Sequence, residues 1–236
     1  MNRTILIVLL LATSVSLHAA DAGVPYRVQI KYRVSIASMK VGEGMDVFQH
    51  DAKTYSIVSE SKTTGVAAAL YPLNIRREAK GTISANELRP HSFIELRNGQ
   101  MKRSATFDWA TGQVELTDGD TKKTVTFPPD TWDVTSFAWN FAFSPPDGSD
   151  LKVHVTDGRR VTEYRYNILG REKLATPLGD IQTLHVKKVQ DPDDKRGFDV
   201  WLAVDQHYLP VRIRATEKDG TAFDSLVDSI DSAAKP

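Results

Sequence analysis

Tyr26-Arg27-Val28-Gln29-Ile30-Lys31-Tyr32-Arg33-Val34-Ser35-Ile36 alternates apolar and polar residues without a break. Successive side chains of a strand point to opposite faces, so this stretch places six apolar side chains on one face of a single strand. At about 3.4 Å per residue it extends roughly 35 to 40 Å, longer than most strands, and such strands belong to curved sheets or barrels. The period returns at Phe198, Val200, Leu202 and Val204, and again at Leu209, Val211, Ile213 and Ala215. Asn98-Gly99, Asp118-Gly119, Asp157-Gly158 and Asp219-Gly220 separate the runs and supply the positive φ that tight hairpins need.

Two hairpins follow from register. A two-residue loop at Asn98-Gly99 sets Leu96 opposite Met101 and Glu95 opposite Lys102. A loop at Asp157-Gly158 sets Lys152 opposite Glu163 and Leu151 opposite Tyr164. The reading is an all-β chain: a large bent antiparallel sheet or incomplete barrel of about a dozen strands, with one or two short helices. One β domain is expected over residues 21–231, with a frayed tail over 232–236.

Two segments break the alternation. Thr63 to Pro72 is small and apolar, a short helix or a loop over the sheet. The second runs from Pro128 to Pro146, where Asp130 or Thr131 can cap a helix with Trp132, Ser136, Trp139 and Phe143 on one face.

The amino terminus reads as a secretory signal peptide. Arg3 supplies the positive charge, Ile5 to Val15 an apolar stretch too short for a bilayer, and Ala20-Asp21-Ala22 a cleavage motif, with cleavage expected between residues 19 and 22. No second apolar run is long enough for a membrane span. The chain has no cysteine, which removes disulfides, thiolate metal sites, a cysteine nucleophile and a lipid-modified cysteine. The expectation is a soluble periplasmic protein without a lipid anchor. Thirty basic residues balance thirty acidic ones, so no net field draws the chain to nucleic acid.

The carboxy-terminal half carries a family resemblance. Tyr166-Asn167-Ile168-Leu169-Gly170-Arg171-Glu172-Lys173-Leu174-Ala175-Thr176-Pro177-Leu178-Gly179, then Val200 to Asp205 and Tyr208 to Ile213, resembles the bacterial exported family called domain of unknown function 3108. Leu88-Arg89-Pro90, Phe107-Asp108 and Asp133-Val134-Thr135-Ser136 are similar to the same pattern. That family has no established activity, so the resemblance implies no catalytic residues. A looser likeness, in strand order, is to the periplasmic lipoprotein-carrier fold, which implies a bent sheet closed by helices over an apolar hollow.

Candidate sites follow from these segments. Val66, Leu70 and Tyr71 in the first, and Trp132, Phe137, Trp139 and Phe141 in the second, either pack as ordinary core or line a hollow for a hydrophobic ligand. Half an acyl chain buried there would supply roughly 6 kcal/mol at about 0.8 kcal/mol per methylene. Of the basic pairs Arg76-Arg77 and Arg159-Arg160, one arginine each can face inward and hold a phosphate or carboxylate headgroup; Arg76 is the candidate. Asp191 to Gly197 fails the calcium-loop pattern and reads as a polar hairpin loop. The five histidines beyond His18 show no metal-ligand spacing, and no nucleophile elbow, P-loop or dinucleotide fingerprint occurs. Neither cofactor nor metal is expected. The sequence thus points to a non-enzymatic carrier for a lipid-like ligand, or alternatively to an envelope scaffold that binds protein or glycan through a strand edge.

Overall fold

The computed structural model describes residues 23–191, 194 and 196–233, so the signal segment lies outside the described residues. Fifteen strands form one sheet: β1 (Arg27–Ile36), β2 (Met39–His50), β3 (Thr54–Thr63), β4 (Asn74–Ser84), β5 (Glu87–Arg97), β6 (Gln100–Asp108), β7 (Gln113–Asp118), β8 (Thr121–Thr126), β9 (Thr131–Asp133), β10 (Asp150–Thr156), β11 (Val161–Thr176), β12 (Gly179–Lys188), β13 (Gly197–Ala203), β14 (Leu209–Thr216) and β15 (Ala222–Ala233). Helix α1 (Gly65–Leu70) lies between β3 and β4, and α2 (Val134–Asn140) follows β9. The fold is all-β, and the strands exceed the expected dozen because short members such as β9 leave no alternation to read. β15 runs on to Ala233 opposite Arg27, so Ser232 and Ala233 are paired rather than frayed.

Connectivity forces the sheet to roll. Strands run β8 to β1, then β15 to β9, so β8 and β9 are the two edges. Laid flat at about 4.8 Å per strand, those edges would stand roughly 67 Å apart. Only residues 127–130 join them, and five extended steps span no more than about 18 Å. The sheet therefore curls until its edges are neighbours, yet they do not pair, and it is not a closed barrel. The inner edge, β9, pairs in parallel with β10, and the Trp132 indole donates to the Leu88 carbonyl at 2.7 Å across the roll.

Helix α2 occupies the interior. Its cap is Asp133, not Asp130 or Thr131, because residues 131–133 are extended in β9; the Asp133 carboxylate accepts from the Thr135 and Ser136 amides at 2.8 and 2.9 Å. Thr135 to Asn140 are all buried, as expected of a helix wrapped on every side. Trp139 packs with Phe48, Tyr55 and Ile57 of the amino-terminal strands, stacking on Phe48 at 5.0 Å. Phe137 and Phe141 pack with Val153, Tyr166, Val200 and Leu202 of the carboxy-terminal strands. Each of these aromatic side chains contributes roughly 2 to 3 kcal/mol of apolar burial. The apolar hollow implied by the carrier likeness is thus filled by the chain's own helix.

Most polar groups inside this plug have partners, the Thr135 hydroxyl and the second carboxylate oxygen of Asp133 being the buried exceptions. Asn140 Oδ1 accepts from the Leu88 amide at 2.8 Å, and Ser136 Oγ lies 2.8 Å from the Tyr55 hydroxyl. The Trp139 indole donates to Asp46 at 3.3 Å, and the Tyr32 hydroxyl donates to the Pro210 carbonyl at 2.8 Å.

Candidate functional site

An antiparallel meander sends alternate turns to opposite ends of the roll. At one end lie the β1–β2, β5–β6, β10–β11, β12–β13 and β14–β15 connections together with α1. There the inner face of the sheet changes character. Ala79, Phe93 and Ala105 are apolar and fully buried, whereas the inward residues one step closer to the rim are Arg77, Glu95 and Arg103.

Register makes these a cross-strand ladder of alternating sign: Arg77 on β4 faces Glu95 on β5, Glu95 faces Arg103 on β6, and Arg103 faces Asp118 on β7. A bulge between Glu95 and Leu96 builds it. The expected Leu96–Met101 pair forms, but the bulge shifts Glu95 past Lys102 onto Arg103. Arg77 and Arg97 donate to Glu95 at 2.8 and 2.9 Å, and an Arg103 nitrogen lies 3.6 Å away. Only 1% of Glu95 is exposed. Burial pushes its carboxyl up, and the Arg77 and Arg97 guanidiniums outweigh that and hold it below the ordinary 4.5.

The opposite wall comes from the other half of the sheet. Thr156 pairs with Val161, so the β10–β11 loop spans four residues rather than two; Lys152 then faces Arg165 and Leu151 faces Tyr166, not Glu163 and Tyr164. The longer loop reaches β6. Gly158, at φ +87°, sits where a Cβ would lie 2.8 Å from Arg103 Cβ, so a side chain there would push the two walls apart. Asp157 holds Arg159 at 2.6 Å and lies 3.5 Å from Arg103.

Between the walls lies a cleft of about 540 Å³. Val134, Val155, Phe198 and Ala215 supply apolar lining, and Tyr164 adds a ring whose face meets the Lys188 ammonium at 4.7 Å. Around them stand Arg77, Arg97, Arg103, Arg159, Arg160, Arg196 and Lys218, against Glu95, Asp157 and Glu217. Arg196 is paired with Asp194 at 2.8 Å. Among the described residues, Arg160 and Lys218 are exposed and make no ion pair. Unneutralised guanidinium and ammonium groups over an apolar floor suit an anionic headgroup with an apolar tail. The opposite mouth holds a recess of about 660 Å³ lined by Val24, Ile83, Phe143 and Val204, with Asp205 and two histidines but no arginine or lysine.

The residues singled out from sequence part company here. Trp132, Phe137, Trp139 and Phe141 are at most 8% exposed and lie in the packed interior. Val66 and Leu70 on α1 and Tyr71 at its exit are at least 70% exposed, and no residue of α1 is buried. Arg76 lies on the face of β4 opposite Arg77, paired with Glu60 and Glu78. Of the two basic pairs, the cleft lining takes Arg77 from the first and both Arg159 and Arg160 from the second, since those two occupy a loop where strand alternation does not apply. Arg97, Arg103, Arg196, Lys218 and Glu95 were missed; they converge from distant strands and only register joins them. Ser136 is fully buried against Tyr55. Among the described residues, no group of three or more histidine or carboxylate side chains is arranged to hold a metal ion, and no helix is long and apolar enough to cross a membrane.

Comparison with known proteins places the fold. A β-barrel-like protein of domain of unknown function DUF1849 from Brucella abortus superposes with a TM-score of 0.56 at 8% identity, covering 89% of this chain and 99% of that one. A putative lipoprotein from Parabacteroides distasonis gives a TM-score of 0.37 at 11% identity, covering 88% of this chain and 97% of that one. Among curated proteins, none matches. The family model described as protein of unknown function (DUF3108) matches residues 31–227, from β1 into β15, and the chain belongs to that family.

Proposed function

We propose that this protein is a non-enzymatic binding protein of the periplasm that takes an amphiphilic, lipid-like ligand with an anionic headgroup in the arginine-lined cleft. One observation carries the reading: seven cationic side chains and three carboxylates surround an apolar floor at the mouth of the roll. The headgroup meets Arg160, Lys218 and the free faces of Arg77 and Arg97, while the first methylenes of the tail lie against Val134, Val155 and Phe198. With α2 filling the interior, the ligand sits at the rim rather than deep in the sheet. The strand-edge scaffold is the weaker reading, because β8 presents Lys122 and Lys123 along its edge, a feature that discourages strand addition.

Calorimetric titration with lysophosphatidylglycerol and with lysophosphatidylcholine of the same acyl chain tests the reading. The anionic lipid is expected to bind at least tenfold tighter, and Arg160→Glu with Lys218→Glu to remove most of that preference. Equal affinity for both lipids, or no binding of either, overturns it.

A further inference from the structure

The cleft's own end of the roll is also where exposed apolar side chains gather. Met39 is 71% exposed beside the β1–β2 turn, Val66, Leu70 and Tyr71 project from α1 and its exit, and Met101 is 55% exposed beside the β5–β6 turn. The three segments are stitched together. The Thr64 amide donates to the Val41 carbonyl at 3.0 Å, and the Asn74 amide donates to Asn98 Oδ1 at 2.8 Å. They form one crescent along the amino-terminal half of the rim.

Two features say what covers it. Residues 37–43, 61–75 and 98–102 contain Lys40, Lys62 and Lys102 against one carboxylate, Glu43, which pairs with Lys40 at 2.8 Å, although the whole chain balances thirty acids with thirty bases. Helix α1 has six residues, no buried side chain and no side-chain cap, so nothing within the described residues supplies an apolar surface for Val66 and Leu70. An apolar ridge with a tyrosine at its shoulder and a net excess of lysine around it matches the boundary between headgroups and acyl chains of an anionic bilayer.

We infer that this crescent docks the protein on an anionic lipid membrane, with Met39, Val66, Leu70 and Tyr71 entering the outer layer and the lysines meeting headgroup phosphates. This places the mouth of the cleft beside the headgroups, but docking does not require the cleft to hold a ligand.

Co-sedimentation of the protein with vesicles of one part phosphatidylglycerol to three parts phosphatidylethanolamine tests the inference, with phosphatidylcholine vesicles as the neutral comparison. The bound fraction is expected to exceed that on phosphatidylcholine at least fivefold and to fall with added salt. Leu70→Asp with Tyr71→Ser is expected to cut it at least fivefold while the melting temperature holds, since both side chains are exposed. The same variant should bind soluble lysophosphatidylglycerol as the parent does, whereas Arg160→Glu with Lys218→Glu loses that binding and keeps most vesicle binding. Failure of the parent to sediment with anionic vesicles, or undiminished sedimentation of Leu70→Asp with Tyr71→Ser, overturns the inference. So does a dimer in analytical ultracentrifugation that this substitution abolishes, because the ridge would then belong to a second copy.

Discussion

Asp46 and Glu95 are carboxylates on the inner face of the same sheet, 7% and 1% exposed, and their surroundings drive them in opposite directions. Burial raises Asp46 above its ordinary 3.8, against hydrogen bonds from neutral donors including Ser59 and Trp139. Glu95 is lowered because guanidiniums outweigh the same burial cost. The difference separates a plug, where charge is a burden, from a rim, where charge is organised and faces water. Three substitutions break or sharpen the contrast.

Trp139→Ala has the largest expected effect. It removes a fully enclosed indole, its stack on Phe48 and a donor to Asp46, for a loss of about 4 kcal/mol. In a chain of this size that corresponds to roughly 10 °C in the thermal midpoint, read by circular dichroism. An unchanged midpoint would show that α2 does not hold the two halves of the sheet together.

Glu95→Gln comes next, at about 2 kcal/mol at neutral pH, because three arginines lose their shared partner. Since the folded-state pKa is lowered, the stabilisation is present above about 4.5 and disappears as pH falls through the folded value. Denaturant midpoints of parent and variant should therefore converge in acid.

Asp46→Asn is the smallest, within about 1 kcal/mol, and has the opposite sign. A raised folded-state pKa means that stability declines as pH climbs from 3.8 through the folded value. The amide variant escapes that decline, so at pH 7 it should equal or exceed the parent, with the advantage fading toward pH 4. A clear loss of stability at neutral pH would place Asp46 among the charge-organising groups with Glu95.

Much of the sheet was legible because alternation is a local signal: the apolar positions Val28, Ile30 and Tyr32 are buried on β1 as the sequence reading required. Register was less legible. A bulge costs one residue and leaves no mark in composition, so Glu95 went to Lys102 on paper and to Arg103 in the fold. The aspartate-glycine signal at 157–158 marked a turn but not its length, and the two extra residues carry Arg159 and Arg160 into the cleft. In the helix, Asp133 outranked two earlier caps because Trp132 had first to stay extended and reach Leu88. The rim was half visible as basic pairs, and its remaining members come from strands that only tertiary curvature brings together.

The seam between β1 and β15 has a consequence for how the molecule matures. Arg27 lies opposite Ala233, and β1 has β2 on its other side. A ribosome delivers β1 first and β15 last, so the meander from β1 to β8 can zip locally while the free flank of β1 waits for almost the entire chain. Closing so long a loop is entropically slow, and until it happens the first half presents an open strand border to its surroundings. Final consolidation therefore waits for β15 to pair with β1.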